Sequence, residues 1–412
     1  MEWYRAMRTH ERRALWACFG GWALDAMDVQ MYAVVIPTLI AVWGLTRAQA
    51  GLLGTVTLVV SSVGGWIAGI LADRYGRVRV LQLTILWFSL FTFLSGLTTS
   101  YAQLFLTRGL QGLGFGGEWA AGAVLIAETV DARYRGKAVA AVQSGWSVGY
   151  GTAALLFALL FNLFPAAQAW RYLFFVGLSP AVLVFVVRRY VQEPAVYVAT
   201  RQQIQAGAEK TPFWDIFRPP LAGTTLLASL LTLGILGGNY NVLTWLPTYL
   251  RTVRHLSYTN TGGFLLVNIL GSFSGYLVGG YISDTLGRRR AFMLLAVAAA
   301  LTVLVYMFVA TSNGAILVLG FPLGFFQSGV NAGVGAFLAE LFPTRLRGSA
   351  QGFCYNAGRG IGALFPTGVG LLSERIPLGQ AIGINATLAY ALVILAAWRL
   401  PETKAKELKV YG

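Results

Sequence analysis

The chain has 412 residues, of which 56% are hydrophobic and only 11% charged, with a formal net charge of +15. Soluble globular chains carry about 25% charged residues, so this composition excludes an ordinary soluble protein, and its apolar content excludes a disordered one. Two cysteines, Cys18 and Cys354, and two histidines, His10 and His255, exclude a disulfide framework and a His-rich metal site.

Apolar blocks of bilayer-crossing length, about 20 residues each, follow one another along the chain. They fall roughly at 15–40, 51–72, 80–99, 102–127, 138–161, 171–188, 222–247, 261–283, 291–311, 315–340, 350–372 and 378–399. These twelve helices and short loops use nearly the whole chain, which predicts an all-α membrane protein. The first block is too long for a cleavable signal peptide and carries Asp25 and Asp28. After the sixth block comes the longest polar stretch, with Glu193, Arg201, Glu209, Lys210, Asp215 and Arg218. It reads as a cytoplasmic linker over 191–220, between an N-terminal bundle at 1–190 and a C-terminal bundle at 221–412.

Basic charge of this size suggests nucleic acid, but its distribution argues for topology instead. With the N-terminus inside, 24 of the 31 Lys and Arg fall on one side, among them Arg12, Arg74, Arg77, Arg133, Arg288, Arg345 and Lys404. Arg47, Arg171, Arg251, Arg254 and Arg375 fall on the other, and Arg108 and Arg359 lie within helices. This is the positive-inside pattern, and it puts both termini in the cytoplasm.

The two halves repeat. Gly69-Ile-Leu-Ala-Asp73-Arg74-Tyr-Gly76-Arg77 follows the second block, and Gly280-Tyr-Ile-Ser-Asp284-Thr-Leu-Gly287-Arg288 follows the eighth. Glu128-Thr-Val-Asp131-Ala-Arg133-Tyr-Arg135-Gly136 follows the fourth, and Glu340-Leu-Phe-Pro-Thr-Arg345-Leu-Arg347-Gly348 follows the tenth. Two motifs recurring at nearly one offset, at matching helix ends, indicate two parallel six-helix repeats about an axis along the membrane normal.

The Asp73 segment resembles the loop signature of the major facilitator superfamily, with a degenerate copy in the second half. Within that superfamily, Gly21-Trp22-Ala-Leu-Asp25-Ala26-Met-Asp28 resembles the sialate and monocarboxylate proton-symporter branch. Related aromatic-acid symporters carry a similar Asp pair, and Arg108 to Trp119 is similar to metabolite:proton symporters. The resemblance implies twelve helices in two pseudo-symmetric bundles, transport by alternating access, and a central cavity lined by helices one, four, five, seven, ten and eleven. It also implies a conformational latch of Asp73, Arg74, Gly76 and Arg77, with Glu128 and Arg133, Asp284 and Arg288, and Glu340 and Arg345 as analogues. A bare carboxylate at a helix C-terminus opposes the dipole, so Asp73 needs cationic or donor partners. Arg77 and a helix N-terminus of the other half are the candidates.

Five charges lie inside the spans: Asp25, Asp28, Arg108, Glu118 and Arg359. Each is costly in hydrocarbon and is expected to face water or a partner. The N-terminal half supplies three carboxylates, and the C-terminal half supplies the mid-membrane cation Arg359. A guanidinium matches a carboxylate with a planar fork, and desolvated acids exchange protons near neutrality. This predicts proton-coupled uptake of a small organic anion, such as sialic acid or a mono- or aromatic carboxylate. Asp28 and Glu118 are the leading proton carriers, with Asp25 third. The alternative for Arg359 is a structural ion pair.

Asn239, Tyr240 and Asn241 follow Gly237 and Gly238, a pair that permits local unwinding. With Gln327, Asn331, Tyr355, Asn356, Gln143 and Trp146 they are candidate cavity residues beside Arg359 and Arg108. Each is also a ready helix-packing hydrogen bonder. Protons are the expected coupling ion, with no cofactor or metal, and a functional monomer in the inner membrane is expected. Rival readings are neutral sugar or polyol uptake and drug efflux. A membrane-embedded enzyme is disfavoured because no nucleophile–base pair or metal cluster is evident.

Overall fold

The computed structural model describes the chain except residues 1, 46, 132, 183, 185–192, 194–196, 199–211, 257, 311, 374 and 405–412. Most of the stretch expected as a linker therefore lies outside the described residues. The described part is helical, with no strand among the described residues. A short α1 (Glu2–Ala6) precedes α2 (Thr9–Trp43), α3 (Arg47–Tyr75), α4 (Arg77–Leu97), α5 (Tyr101–Thr129), α6 (Arg135–Leu163) and α7 (Ala166–Val176). The second half comprises α8 (Leu221–Thr252), α9 (Tyr258–Leu286), α10 (Arg288–Leu304), α11 (Asn313–Ala332), α12 (Val334–Leu341), α13 (Arg347–Gly362), α14 (Phe365–Leu372) and α15 (Leu378–Arg399). Counting α11–α12 and α13–α14 as broken spans, each half has six membrane helices.

Eight of these spans are long and apolar enough to cross a bilayer on composition alone. Apart from α7, the others carry the five charges that lie inside the spans: Asp25 and Asp28 on α2, Arg108 and Glu118 on α5, and Arg359 on α13. Leu83, Leu106, Leu155, Leu226 and Leu388 point outward, as expected where lipid is the solvent. Chain punctuation follows ordinary rules. Ser100 and Ser312 cap α5 and α11 by accepting from the Gln103 and Ala315 N–H groups. Gly76 (φ 113°) and Gly287 (φ 96°) form the equivalent tight turns α3–α4 and α9–α10, where a side chain would be strained.

Glycines also set the helix spacing. Gly64, Gly112 and Gly116 bring the α3 and α5 backbones together, and Gly271, Gly275 and Gly324 do the same for α9 and α11. Without a hydrophobic drive between helices in lipid, such close backbone contact supplies packing energy. Gly237 and Gly238 serve the same purpose and not the expected unwinding: α8 is continuous, and a Cβ at these positions would meet the rings of Phe365 and Tyr390. The interruptions fall instead at Gly333 and at Ala363–Leu364, within blocks expected to be continuous. Pro366, in the first turn of α14, cannot donate to the preceding turn and explains the second break.

Candidate functional site

Asp25, Asp28, Arg108, Glu118 and Arg359 are all buried. They form two groups. Asp25 and Glu118 of the first half interact electrostatically with Arg359 of the second. The Arg359 guanidinium lies 4.5 Å over the Phe115 ring of α5 and 5.0 Å over Tyr355, with Tyr240 as a further partner. Both Asp25 carboxylate oxygens, Glu118 Oε2, and Arg359 Nε and Nη1 have no hydrogen-bond partner among the described residues. Buried charges in that condition are costly. The cluster can lower the cost by taking protons on its acids and an anion on its guanidinium.

Asp28 and Arg108 pair with each other inside the N-terminal bundle. Arg108 Nη1 is 3.8 Å from Asp28 Oδ2, and the Gln111 side-chain amide donates to the same carboxylate. The guanidinium lies 4.7 Å over Tyr32 and 6.0 Å over Phe174 of α7. Helix geometry explains the division. Three residues advance the helix by about 300° and 4.5 Å, so Asp25 and Asp28 are neighbours whose side chains diverge by about 60°.

A small chamber of about 30 Å3 lies between the halves, bounded by α6, α8, α9 and α11. Trp146, Tyr150, Asn239, Tyr276 and Gln327 are in its wall. Gln327 Nε2 donates to the Asn239 carbonyl at 3.0 Å, and Asn331 Nδ2 donates to the Tyr276 hydroxyl at 3.3 Å. Tyr276 neighbours Tyr240, which neighbours Arg359, so the chamber and the charged centre adjoin. A smaller cavity is lined by Glu118 together with Cys18, Trp22 and Gln143. Two candidates face elsewhere. Asn241 donates to Asn385 of α15 within its own bundle, and Asn356 donates to the Gly352 carbonyl beside Gly65 of α3.

At the basic end the halves are tied by reciprocal bonds. Asp73, in the last turn of α3, accepts from the Gly348 and Ser349 N–H groups at the start of α13, at 3.0 and 2.6 Å. Asp284, in the last turn of α9, accepts from the Gly136 and Lys137 N–H groups at the start of α6, at 3.1 and 2.9 Å. A helix N-terminus is a natural seat for an anion, so each aspartate escapes its own C-terminal dipole by capping the other half. Arg77 holds Asp73 and Glu128, while Arg288 holds Asp284 and Glu340.

The arginines of the second motif are corrected. Arg133 and Arg345 are exposed, and Arg133 pairs with Asp131 rather than Glu128. Arg347 reaches across to Glu128, and Arg135 reaches across to Glu340. Arg135 and Arg347 are the first residues of α6 and α13, whereas Arg133 and Arg345 lie in the preceding turns. Arg74 also stays out of the network, exposed beside the Tyr75 ring.

Two acids went unrecognised in the sequence. Glu193 accepts from the Arg77 and Val78 N–H groups at the start of α4, and Glu402 accepts from those of Arg288 and Arg289 at the start of α10. Burial holds the Glu193 carboxyl above the usual carboxylate range, against those backbone donors. The available signal was an acid beside proline just past the last apolar block of each half, Glu193-Pro194 and Pro401-Glu402.

Comparison with known proteins agrees with this architecture. The Major Facilitator Superfamily profile matches residues 18–312 and 264–411. A probable 4-methylmuconolactone transporter of Cupriavidus pinatubonensis is 42% identical over 410 residues, covering 100% of this chain and 95% of that protein. A cis,cis-muconate transport protein of Acinetobacter baylyi is 32% identical, covering 88% and 86%. The solved structure of the proton:xylose symporter XylE superposes with a TM-score of 0.81 at 18% identity, covering 97% of this chain and 98% of that one.

Proposed function

The chain belongs to the Major Facilitator Superfamily, and from that premise we propose that it is a proton-coupled importer of a small organic anion working by alternating access. It is an integral multi-pass membrane transporter and not an enzyme. The bundles at 1–190 and 221–412 rock about the central site, joined by a linker at 191–220. In this reading both termini are cytoplasmic, the membrane is the plasma (inner) membrane, the monomer is the working unit, and protons are the coupling ion.

One observation carries the proposal: Arg359 of the second half, with Nε and Nη1 unpartnered among the described residues, faces the acids Asp25 and Glu118 of the first. A carboxylate bound on Arg359 removes a counter-charge from the two acids, which then hold protons more readily. Anion and proton therefore load together. Asp73, Asp284 and the Glu128 and Glu340 pairs hold the basic side closed during the opposite phase of the cycle. Named substrates of the relatives support an organic acid, since muconate is a carboxylate. The test is uptake by proteoliposomes of purified protein. An imposed inward proton gradient should drive accumulation of a carboxylate such as muconate, and an uncoupler should abolish it. Accumulation that survives the uncoupler, or that requires sodium, overturns the coupling.

A further inference from the structure

We propose that α1 is a strap across the basic end of the transporter: Trp3, carried by the first half, holds Tyr281 of the second, and that end opens only when this bond lets go. The proposal rests on the rocking of the two halves in the reading above and adds a working part outside the loop motifs.

The start of α2 fixes α1 to the first half. Arg12 Nε and Nη2 donate to the Tyr4 and Arg5 carbonyls at 3.1 and 2.8 Å, and the guanidinium lies 5.1 Å over the Tyr4 ring. These carbonyls belong to the last turn of a short helix, where no intrahelical donor reaches them. Trp16 Nε1 donates to the Tyr4 hydroxyl at 3.0 Å. Held in this way, α1 buries Trp3 and Met7. Trp3 Nε1 then donates to the Tyr281 hydroxyl of α9 at 2.7 Å. Tyr281 lies about one turn before Asp284, and the Lys137 ammonium sits 4.7 Å over its ring. Lys137 is one of the two residues whose N–H groups Asp284 caps. Trp3 therefore bonds beside the junction of α6 with α9. It travels with α2 while Tyr281 travels with α9, so parting the halves at this end breaks the bond.

The second half has a counterpart. Trp3 and Trp214 are separated by the same number of residues as Asp73 and Asp284, and each stands just ahead of the first long helix of its half. Trp214 belongs to a short 3-10 helix, Phe213–Phe217, tied to α8 by the Thr225 hydroxyl, which donates to the Ile216 carbonyl at 2.6 Å. The Phe213 and Trp214 rings lie 5.2 and 6.4 Å from the Trp66 ring of α3. In both halves an aromatic segment ahead of the first long helix thus reaches the second long helix of the other half.

Hydrogen exchange on the purified full-length protein, read by mass spectrometry, tests the strap. The N–H groups of Gly136, Lys137, Gly348 and Ser349 sit at helix starts, where no intrahelical acceptor exists, and bond aspartates of the opposite half. They exchange when this end opens. Trp3→Phe removes the donor and Tyr281→Phe removes the acceptor. Each should speed exchange at both caps about 2- to 10-fold, the net worth of one hydrogen bond, and the double variant should go no further. The Asp73 cap discriminates, because it joins α3 to α13, a separate junction that local loosening of α1 leaves unchanged. Faster exchange at Gly136 and Lys137 alone, or unchanged exchange at both caps, overturns the strap. So do increments that add in the double variant, since the two residues then act independently. Should Trp3→Phe fail to fold, Tyr281→Phe decides alone. Glu128→Gln belongs in the same series. If it speeds both caps and the strap variants do not, the strap falls and the rocking reading stands. If none of the variants speeds either cap, both fall.

Discussion

Arg347 Nη1 lies 2.6 Å from Glu128 Oε1, a buried ion pair between the two halves, and Arg135 to Glu340 repeats it at 3.1 Å with the halves exchanged. Glu128 also serves Arg77, and Glu340 also serves Arg288. Each glutamate is therefore the counter-ion of one arginine from its own half and one from the other. Separating the halves at this end leaves each glutamate with the arginine of its own half but takes the carboxylate from Arg347 and Arg135, so the pairs resist opening.

The first prediction follows from that arrangement. Glu128→Gln leaves Arg77 and Arg347 without their shared charge, and breaking such a buried pair costs about 3–5 kcal/mol. The loss falls on the state in which this end is closed. Cys18, buried in a cavity of the first half lined by Glu118, is expected to gain water when this end opens, and its labelling is the readout. In a Cys354→Ala background, maleimide labelling of Cys18 should accelerate in Glu128→Gln. An unchanged labelling rate at intact expression rules out a closing role.

Gly348 provides a steric version of the same test. A Cβ there would sit 2.6 Å from Asp73 Oδ1, closer than real contacts allow. Gly348→Ala should push the carboxylate away from the Gly348 and Ser349 N–H groups and raise Cys18 labelling without altering any charge. If Gly348→Ala labels like wild type while Glu128→Gln labels fast, the glutamate pairs close this end and the Asp73 cap does not.

Arg359 should be sensitive to shape as well as to charge. Arg359→Lys keeps the charge but loses the planar fork, and Arg359→Ala loses both. Each should weaken carboxylate binding, the alanine variant by about 2–5 kcal/mol, the cost of truncating one partner of a buried charge pair. Calorimetry with the best-binding acid measures it. Unaltered affinity in a folded Arg359→Ala protein refutes the anion site and returns Arg359 to a structural role.

The architecture was legible because it is written in long patterns. Apolar block length gave the spans, and motif recurrence at a fixed offset gave the repeat. The faces of single helices were not legible in this way. Asp25 and Asp28 look equivalent in sequence, yet three residues of helix rotation turn one towards Arg359 and the other towards Arg108. Arg133 and Arg135 look interchangeable too, and only the start of α6 decides which one reaches Glu340. Gly237-Gly238 read as a pair permitting local unwinding because sequence cannot show the rings of Phe365 and Tyr390 packed against it. For Asp73 the kind of partner was legible from its place at a helix C-terminus, but not that the N–H groups of Gly348 and Ser349 would supply it.

The division of the buried charges shifts the expected proton carriers from Asp28 and Glu118 to Asp25 and Glu118. A carrier must gain and lose a proton in each cycle, and an amide in its place is locked in one form. Asp25→Asn or Glu118→Gln should therefore still exchange substrate for substrate, because the loaded protein can reorient. Neither should accumulate substrate against its gradient. Asp28→Asn differs, since it takes the carboxylate from Arg108, a buried guanidinium paired to it at 3.8 Å and stacked on Tyr32. Removing one member of a buried pair costs about 3–5 kcal/mol, so this variant should lose thermal stability and both transport modes together. Counterflow, proton-driven uptake and a melting curve on the same preparation separate the cases. If Asp28→Asn melts like wild type, keeps counterflow and loses accumulation, while Asp25→Asn still accumulates, the proton is carried beside Arg108 and the central pair has another role.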